Sequence, residues 1–109
     1  MKESDTPRPR TPYGISKLAG EHILAAFSKT HGIEYAILRL FFVYGPGQFP
    51  GMGYKSVIVK NFERIRKNEP PVIVGDGQQS LDYVYVSDVV DGILKAGFLA
   101  PSGTLVNLS

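Results

Sequence analysis

Apolar residues recur at helical spacing from Ile15 to Phe27, run almost unbroken from Tyr35 to Tyr44, and return to helical spacing from Val57 to Ile65. They alternate with polar residues from Leu81 to Val86, recur helically from Val89 to Ala96, and close in Thr104 to Leu108. The pattern predicts alternating helices and strands. A helix followed by a continuously apolar strand argues for α/β architecture with a parallel sheet.

In the first helix Thr11 is the expected N-cap and Pro12 the first helical residue, and the helix should run to about Thr30. Its stripe of Ile15, Leu18, Ala19, Ile23, Ala26 and Phe27 is expected to be buried. Gly32 should supply a left-handed stop. Gly14 and Gly20 cost roughly 1 kcal/mol each against Ala, which predicts a close approach at both.

The segment Glu34 to Tyr44 reads as one strand covered on both faces. Its carboxyl end opens into a turn-rich loop from Tyr44 to Gly53. In open α/β sheets ligands bind at such ends, so Phe41 to Tyr44 are expected beside the start of the first helix. The glycines at Gly45, Gly47 and Gly51 serve turns rather than a dinucleotide fingerprint, because Pro46 and Pro50 remove amide donors.

A second helix is expected from Tyr54 to about Asn68, ended by Pro70 and Pro71. Val72 to Val74 reads as a short strand, Gly75-Asp76-Gly77 as a tight turn, and Leu81 to Val86 as another strand. Ser87 is the expected cap of a third helix, with Asp88 and Asp91 in its first turn complementing the dipole. Val89, Val90, Ile93, Leu94, Ala96 and Gly97 should face a core. The lead-in from Met1 to Thr11, with its prolines among charges, is expected to be extended and without structure of its own.

At 109 residues, with 43% hydrophobic and 20% charged residues, the chain allows a single ordinary globule. A net charge of +2, with the basic residues scattered, gives neither a nucleic-acid surface nor a polybasic membrane patch. The absence of cysteine excludes disulfides and thiolate metal sites and fits a cytoplasmic address. The longest apolar run is interrupted by Arg39, and Met1 to Asp5 lead into prolines rather than an apolar signal core. His22 and His31 have no second ligand at metal spacing and read as surface or capping residues.

Tyr13 and Lys17 carry the candidate chemistry. Residues four apart on a helix share one face, with Cβ atoms roughly 6 Å apart, so both heads reach one ligand. A phenol with a pKa of about 10 needs help of up to ~3 units, or ~4 kcal/mol, to exchange protons near neutrality. A fixed ammonium is the simplest source of that help. Taken alone, the pair is equally a half-exposed helix with a snorkelling lysine.

Three blocks in order add context. Thr11-Pro12-Tyr13-Gly14-Ile15-Ser16-Lys17-Leu18-Ala19-Gly20-Glu21-His22, then Leu38 to Gln48, then Gly75 to Val90 resemble the NAD-dependent epimerase/dehydratase family, the extended short-chain dehydrogenase/reductases (extended SDR) that act on nucleotide sugars. The resemblance implies a partial Rossmann-like fold comprising the Tyr-Lys helix, the following strand and part of the substrate-binding region. Residues 1–46 would close the NAD-binding portion and 47–109 would belong to the substrate-binding portion. The family's glycine-rich pyrophosphate loop and its catalytic Ser/Thr lie upstream of the tyrosine, so the chain resembles the middle of one about three times as long.

By the same resemblance Tyr13 is the catalytic acid/base that exchanges a proton with a sugar hydroxyl while hydride passes to or from the nicotinamide of NAD or NADP. Lys17 holds the nicotinamide ribose and lowers the pKa of Tyr13. Phe41 lines the nicotinamide side of the cofactor pocket. Ser56 and Val57 lie where the family contacts the nucleotide base, and Asp82 lies in the block that closes over the diphosphate. Phe42 stands where the family often has Asn, and Leu81 where it often has Arg to pair with the diphosphate. The loss of that bidentate contact, worth a few kcal/mol, argues against a standard UDP-sugar. The expectation is a piece of a nucleotide-sugar epimerase, dehydratase or reductase that is inactive alone. The alternatives are a non-catalytic module that self-associates, as a homo-oligomer or domain-swapped dimer through unpaired strand edge, and a standalone sugar-nucleotide binder.

Overall fold

A computed structural model describes residues 2–48 and 55–109. Helix α1 (Pro12–His31) is followed by strands β1 (Ala36–Leu40) and β2 (Phe42–Tyr44), helix α2 (Val57–Arg66), strand β3 (Tyr83–Tyr85), helix α3 (Val86–Leu99) and strand β4 (Thr104–Leu108). The later part of the Tyr44–Gly53 loop and the expected helix start at Tyr54 lie outside the described residues.

The first helix starts and stops where its end residues dictate. Thr11 is extended, and its Oγ1 accepts the Gly14 amide at 3.1 Å, which satisfies one orphan donor of the first turn. At the other end Gly32 has φ 67° and donates its amide to the Ser28 carbonyl. A Cβ at Gly14 would stand 3.0 Å from Pro9 Cβ, so the lead-in does approach the helix there. Nothing lies within 4 Å of a Cβ at Gly20, and the close approach expected at that residue is absent.

The expected single strand from Glu34 to Tyr44 is two strands in two sheets. β1 pairs in parallel with β4, from Ala36 opposite Thr104 to Leu40 opposite Leu108, while β2 pairs in parallel with β3. The switch falls between consecutive amides: Phe41 donates to the Leu108 carbonyl at 3.1 Å and Phe42 to the Asp82 carbonyl at 3.0 Å. Aromatic contacts then join the second pair of strands, with the Phe42 and Tyr83 rings 5.8 Å apart and Tyr44 and Tyr85 5.4 Å apart. α3 packs against this framework through Gly92, where a Cβ would come within 2.7 Å of Leu108 Cδ1.

Other expectations are corrected. Val72 to Val74 is not a strand, because the Asn61 amide takes the backbone groups a ladder would use: Val72 N donates to Asn61 Oδ1 at 2.9 Å and Asn61 Nδ2 donates to the Val72 carbonyl at 3.3 Å. Ser87 is not a cap; α3 begins at Val86 with Tyr85 as a cap that makes no side-chain bond. The lead-in is not free of structure, since Glu3 Oε1 accepts the Asn107 amide at 2.9 Å and thereby ties the chain's start to β4.

Burial departs furthest from expectation. Among the described residues the buried hydrophobic side chains are Val84 and Val89, where β3 meets α3. Ile15, Ile23 and Phe27 of α1 are 56%, 59% and 53% exposed, and Val90, Ile93 and Leu94 of α3 are about half exposed. The apolar stripes exist, but among the described residues they are only partly covered, α3 chiefly at Val89 and Gly92.

Candidate active site on the first helix

The tyrosine helix and the first strand enclose an open cleft of about 600 Å³. Its walls include Pro7, Arg8 and Pro9 from the lead-in, Tyr13, Gly14, Lys17, Leu18 and Glu21 from α1, and Ile37 to Leu40 from β1. That volume lies in the ordinary range of small-molecule sites, roughly 300 to 1,000 Å³.

Helical spacing brings Tyr13, Lys17 and Glu21 to one face, and all three reach the cleft. Tyr13 is 72% exposed, so its phenol is accessible to a ligand. Lys17 Nζ lies 5.3 Å from the centroid of the Tyr13 ring, over its face. An ammonium there is held by the ring's quadrupole and makes no ion pair among the described residues. Phenol and ammonium thus occupy one rim of one cleft.

Glu21 and Arg39 were not singled out in the sequence, and they form the strongest polar contact of the site. Arg39 donates from Nε to Glu21 Oε1 at 2.8 Å and from Nη2 to Oε2 at 2.7 Å. The side chains are 18% and 20% exposed. Arg39's paired hydrogen bonds hold the Glu21 carboxyl below its usual range, and Glu21 raises the guanidinium in turn. The third nitrogen, Nη1, is buried without a partner among the described residues. Two signals in the sequence mark this pair: Arg39 is the lone charge in an apolar strand, and Glu21 continues the Tyr13, Lys17 spacing by one more turn.

The remaining expected site residues lie elsewhere. The cleft's strand wall stops at Leu40, one residue short of Phe41, which is half-buried at the switch between sheets. Phe42, 46% exposed, meets Tyr83 and the Asp82 carbonyl, while Leu81 is 45% exposed just before β3. These residues come together at the start of β2 and β3. Ser56 and Val57 form a third location at the start of α2, where Ser56 Oγ accepts the Val59 amide at 3.3 Å and donates to Gln48 Oε1 at 3.3 Å. No group of three or more His, Cys, Asp or Glu that would hold a metal occurs among the described residues.

The family model described as NAD dependent epimerase/dehydratase family matches residues 1–108. A putative UDP-glucose 4-epimerase of Methanocaldococcus jannaschii is 44% identical over 96 residues, which are 88% of this chain and 31% of that protein. A solved UDP-N-acetylglucosamine 4-epimerase from Methanobrevibacter ruminantium, in complex with UDP-N-acetylmuramic acid, superimposes over 100% of this chain and 35% of its own, with a TM-score of 0.91 at 34% identity. The Thermus thermophilus UDP-glucose 4-epimerase complex with NAD matches 100% of this chain and 36% of its own, with a TM-score of 0.82 at 34% identity. The chain spans about a third of the length of these relatives.

Proposed function

Because the chain belongs to the NAD-dependent epimerase/dehydratase family, we propose that it supplies the acid/base portion of a nucleotide-sugar epimerase or dehydratase. The observation that carries this reading is the pairing of an exposed Tyr13 with the Lys17 ammonium over its ring, on the rim of an open cleft.

Tyr13 Oη takes a proton from a sugar hydroxyl, or returns one. Lys17, held over the Tyr13 ring, donates to ribose hydroxyls. The nicotinamide of NAD, when bound, supplies the hydride acceptor. The residues present fit the nicotinamide-ribose end of that cofactor: the cleft is open, it is of ligand size, and its rim carries a phenol and an ammonium. They do not supply the pyrophosphate end, since the described helix starts are closed by Thr11, Ser56 and Tyr85 rather than opened by a glycine-rich turn. Phe41 would complete the nicotinamide side. Ser56 and Val57 would meet the nucleotide base, and Phe42, Leu81 and Asp82 the sugar diphosphate, with residues 47–109 belonging to the substrate-binding portion.

With one end of the cofactor site, the 109 residues are expected to be inactive alone. Mixing them with NAD and UDP-sugars tests this, and chromatography of the sugar nucleotides should show no epimerised or dehydrated product. Grafting the chain in place of the matching third of the Methanocaldococcus relative should support turnover. A dead graft that nonetheless folds contradicts the reading.

A second reading, a self-associating module, is favoured by one observation. Among the described residues β1 has a strand on one edge only, and Ile15, Ile23 and Phe27 of α1 are exposed. Such a surface invites a second copy.

A further inference from the structure

The rim of the cleft holds a competition that its geometry resolves. Lys17 and Glu21 stand four residues apart on α1, the spacing at which an ammonium and a carboxylate pair across one turn. They do not pair: the Glu21 carboxylate faces β1, where both oxygens accept from Arg39, and the Lys17 ammonium lies over Tyr13 instead. An exposed pair elsewhere in the chain shows the alternative. Asp91 and Lys95, also four apart and with the carboxylate in the more favourable N-terminal position, meet at 3.6 Å on α3 with no strand-borne arginine to intervene.

We infer that Arg39 is a positioning residue that sequesters Glu21 and so leaves the Lys17 ammonium committed to the Tyr13 phenol. Its bidentate grip outcompetes a single flexible ammonium, because two parallel charge-assisted bonds from a rigid fork lose less side-chain freedom per bond. Without Arg39, Glu21 is a free carboxylate one turn below Lys17 and draws the ammonium down the helix, away from the ring. The functional meaning of the inference rests on Tyr13 being the acid/base; the device itself does not.

The other charged groups facing this cluster are Arg8 on the lead-in, which lines the same cleft, Glu3, which lowers its own charge cost beside Asn107 and acts on Arg39, and His22 next to Glu21 on α1. All of them remain in the variants below.

The test separates sequestration from a simple structural clamp, because two single variants break the same ion pair. The 109-residue chain is labelled with ¹³C,¹⁵N-lysine, the Lys17 ε-methylene signal is assigned with Lys17→Arg, and its upfield shift from the Tyr13 ring is followed in Arg39→Gln, Glu21→Gln and the double variant. A clamp moves both single variants alike. Sequestration removes that ring-induced shift in Arg39→Gln, where a freed carboxylate takes the ammonium away, and retains it in Glu21→Gln. The double variant, with neither carboxylate nor guanidinium, keeps the native ring-induced shift and stays folded even if Arg39→Gln alone does not. Equal loss of the ring-induced shift in the two single variants, no loss in Arg39→Gln, or a double variant that loses it or unfolds overturns the inference. None of these readouts depends on turnover.

Discussion

Arg39 grips Glu21 through Nε at 2.8 Å and Nη2 at 2.7 Å, which ties the middle of α1 to β1 although little else of α1's apolar surface is covered. The pair is largely withdrawn from water, with 18% and 20% of the side chains exposed, so it is worth more than a surface ion pair. Removing one partner leaves a desolvated charge, and Glu21→Gln is expected to cost about 1 to 3 kcal/mol.

Its pH dependence follows from the direction of the shift. The folded-state carboxyl of Glu21 is held below its usual value of 4.5, so its contribution is fully present above that value and is lost as pH falls through the lowered folded value. Urea midpoints measured from neutrality into acid should show a constant gap between the native chain and Glu21→Gln down to about pH 5, closing below it. A gap that persists unchanged in strong acid contradicts the assignment.

Two glycines on α1 are expected to respond differently to alanine. At Gly20 a Cβ meets nothing within 4 Å, so Gly20→Ala should stabilise the chain by about 0.5 to 1 kcal/mol through helix propensity alone. At Gly14 the same gain is opposed by Pro9 Cβ at 3.0 Å, and Gly14→Ala should give less or turn destabilising. Thermal unfolding by circular dichroism of the two variants side by side decides it. Thr11→Ala, which deletes the cap on Gly14 N, should cost about 1 kcal/mol in the same assay.

The outer face of α1 sets the expected behaviour in solution. Ile15, Ile23 and Phe27 project together at helical spacing and are each more than half exposed. Light scattering after size exclusion should report a dimer or larger species, and Ile23→Glu with Phe27→Glu should shift it toward monomer. A native chain that elutes as a monodisperse monomer at high concentration counts against the self-associating reading.

Local chemistry was legible in the sequence where a single residue decides the outcome. Thr11, Pro12 and Gly32 bound the first helix, and the Tyr13, Lys17 spacing placed both groups on one rim. The order of three blocks carried the family. What was not legible depended on partners far along the chain. The break at Phe41 arises because neighbouring amides bond to Leu108 and Asp82, residues distant in sequence. Val72 to Val74 had strand composition, yet Asn61 claims the backbone of Val72 and Gln79 donates to the Val74 carbonyl. The stripes of α1 and α3 have the right period for burial, but periodicity names the face and not what covers it. Arg39 was visible only as an interruption, and its meaning needed Glu21 beside it.

The account rests on Tyr13 as the proton-exchanging group beside a bound nicotinamide. The most direct measurement is turnover of a UDP-sugar by the graft of this chain into its Methanocaldococcus relative, compared with the same graft carrying Tyr13→Phe. Loss of the hydroxyl with the ring retained should lower the rate about 10²- to 10⁴-fold with little change in substrate affinity. A Tyr13→Phe graft that turns over as fast as its parent contradicts the central claim.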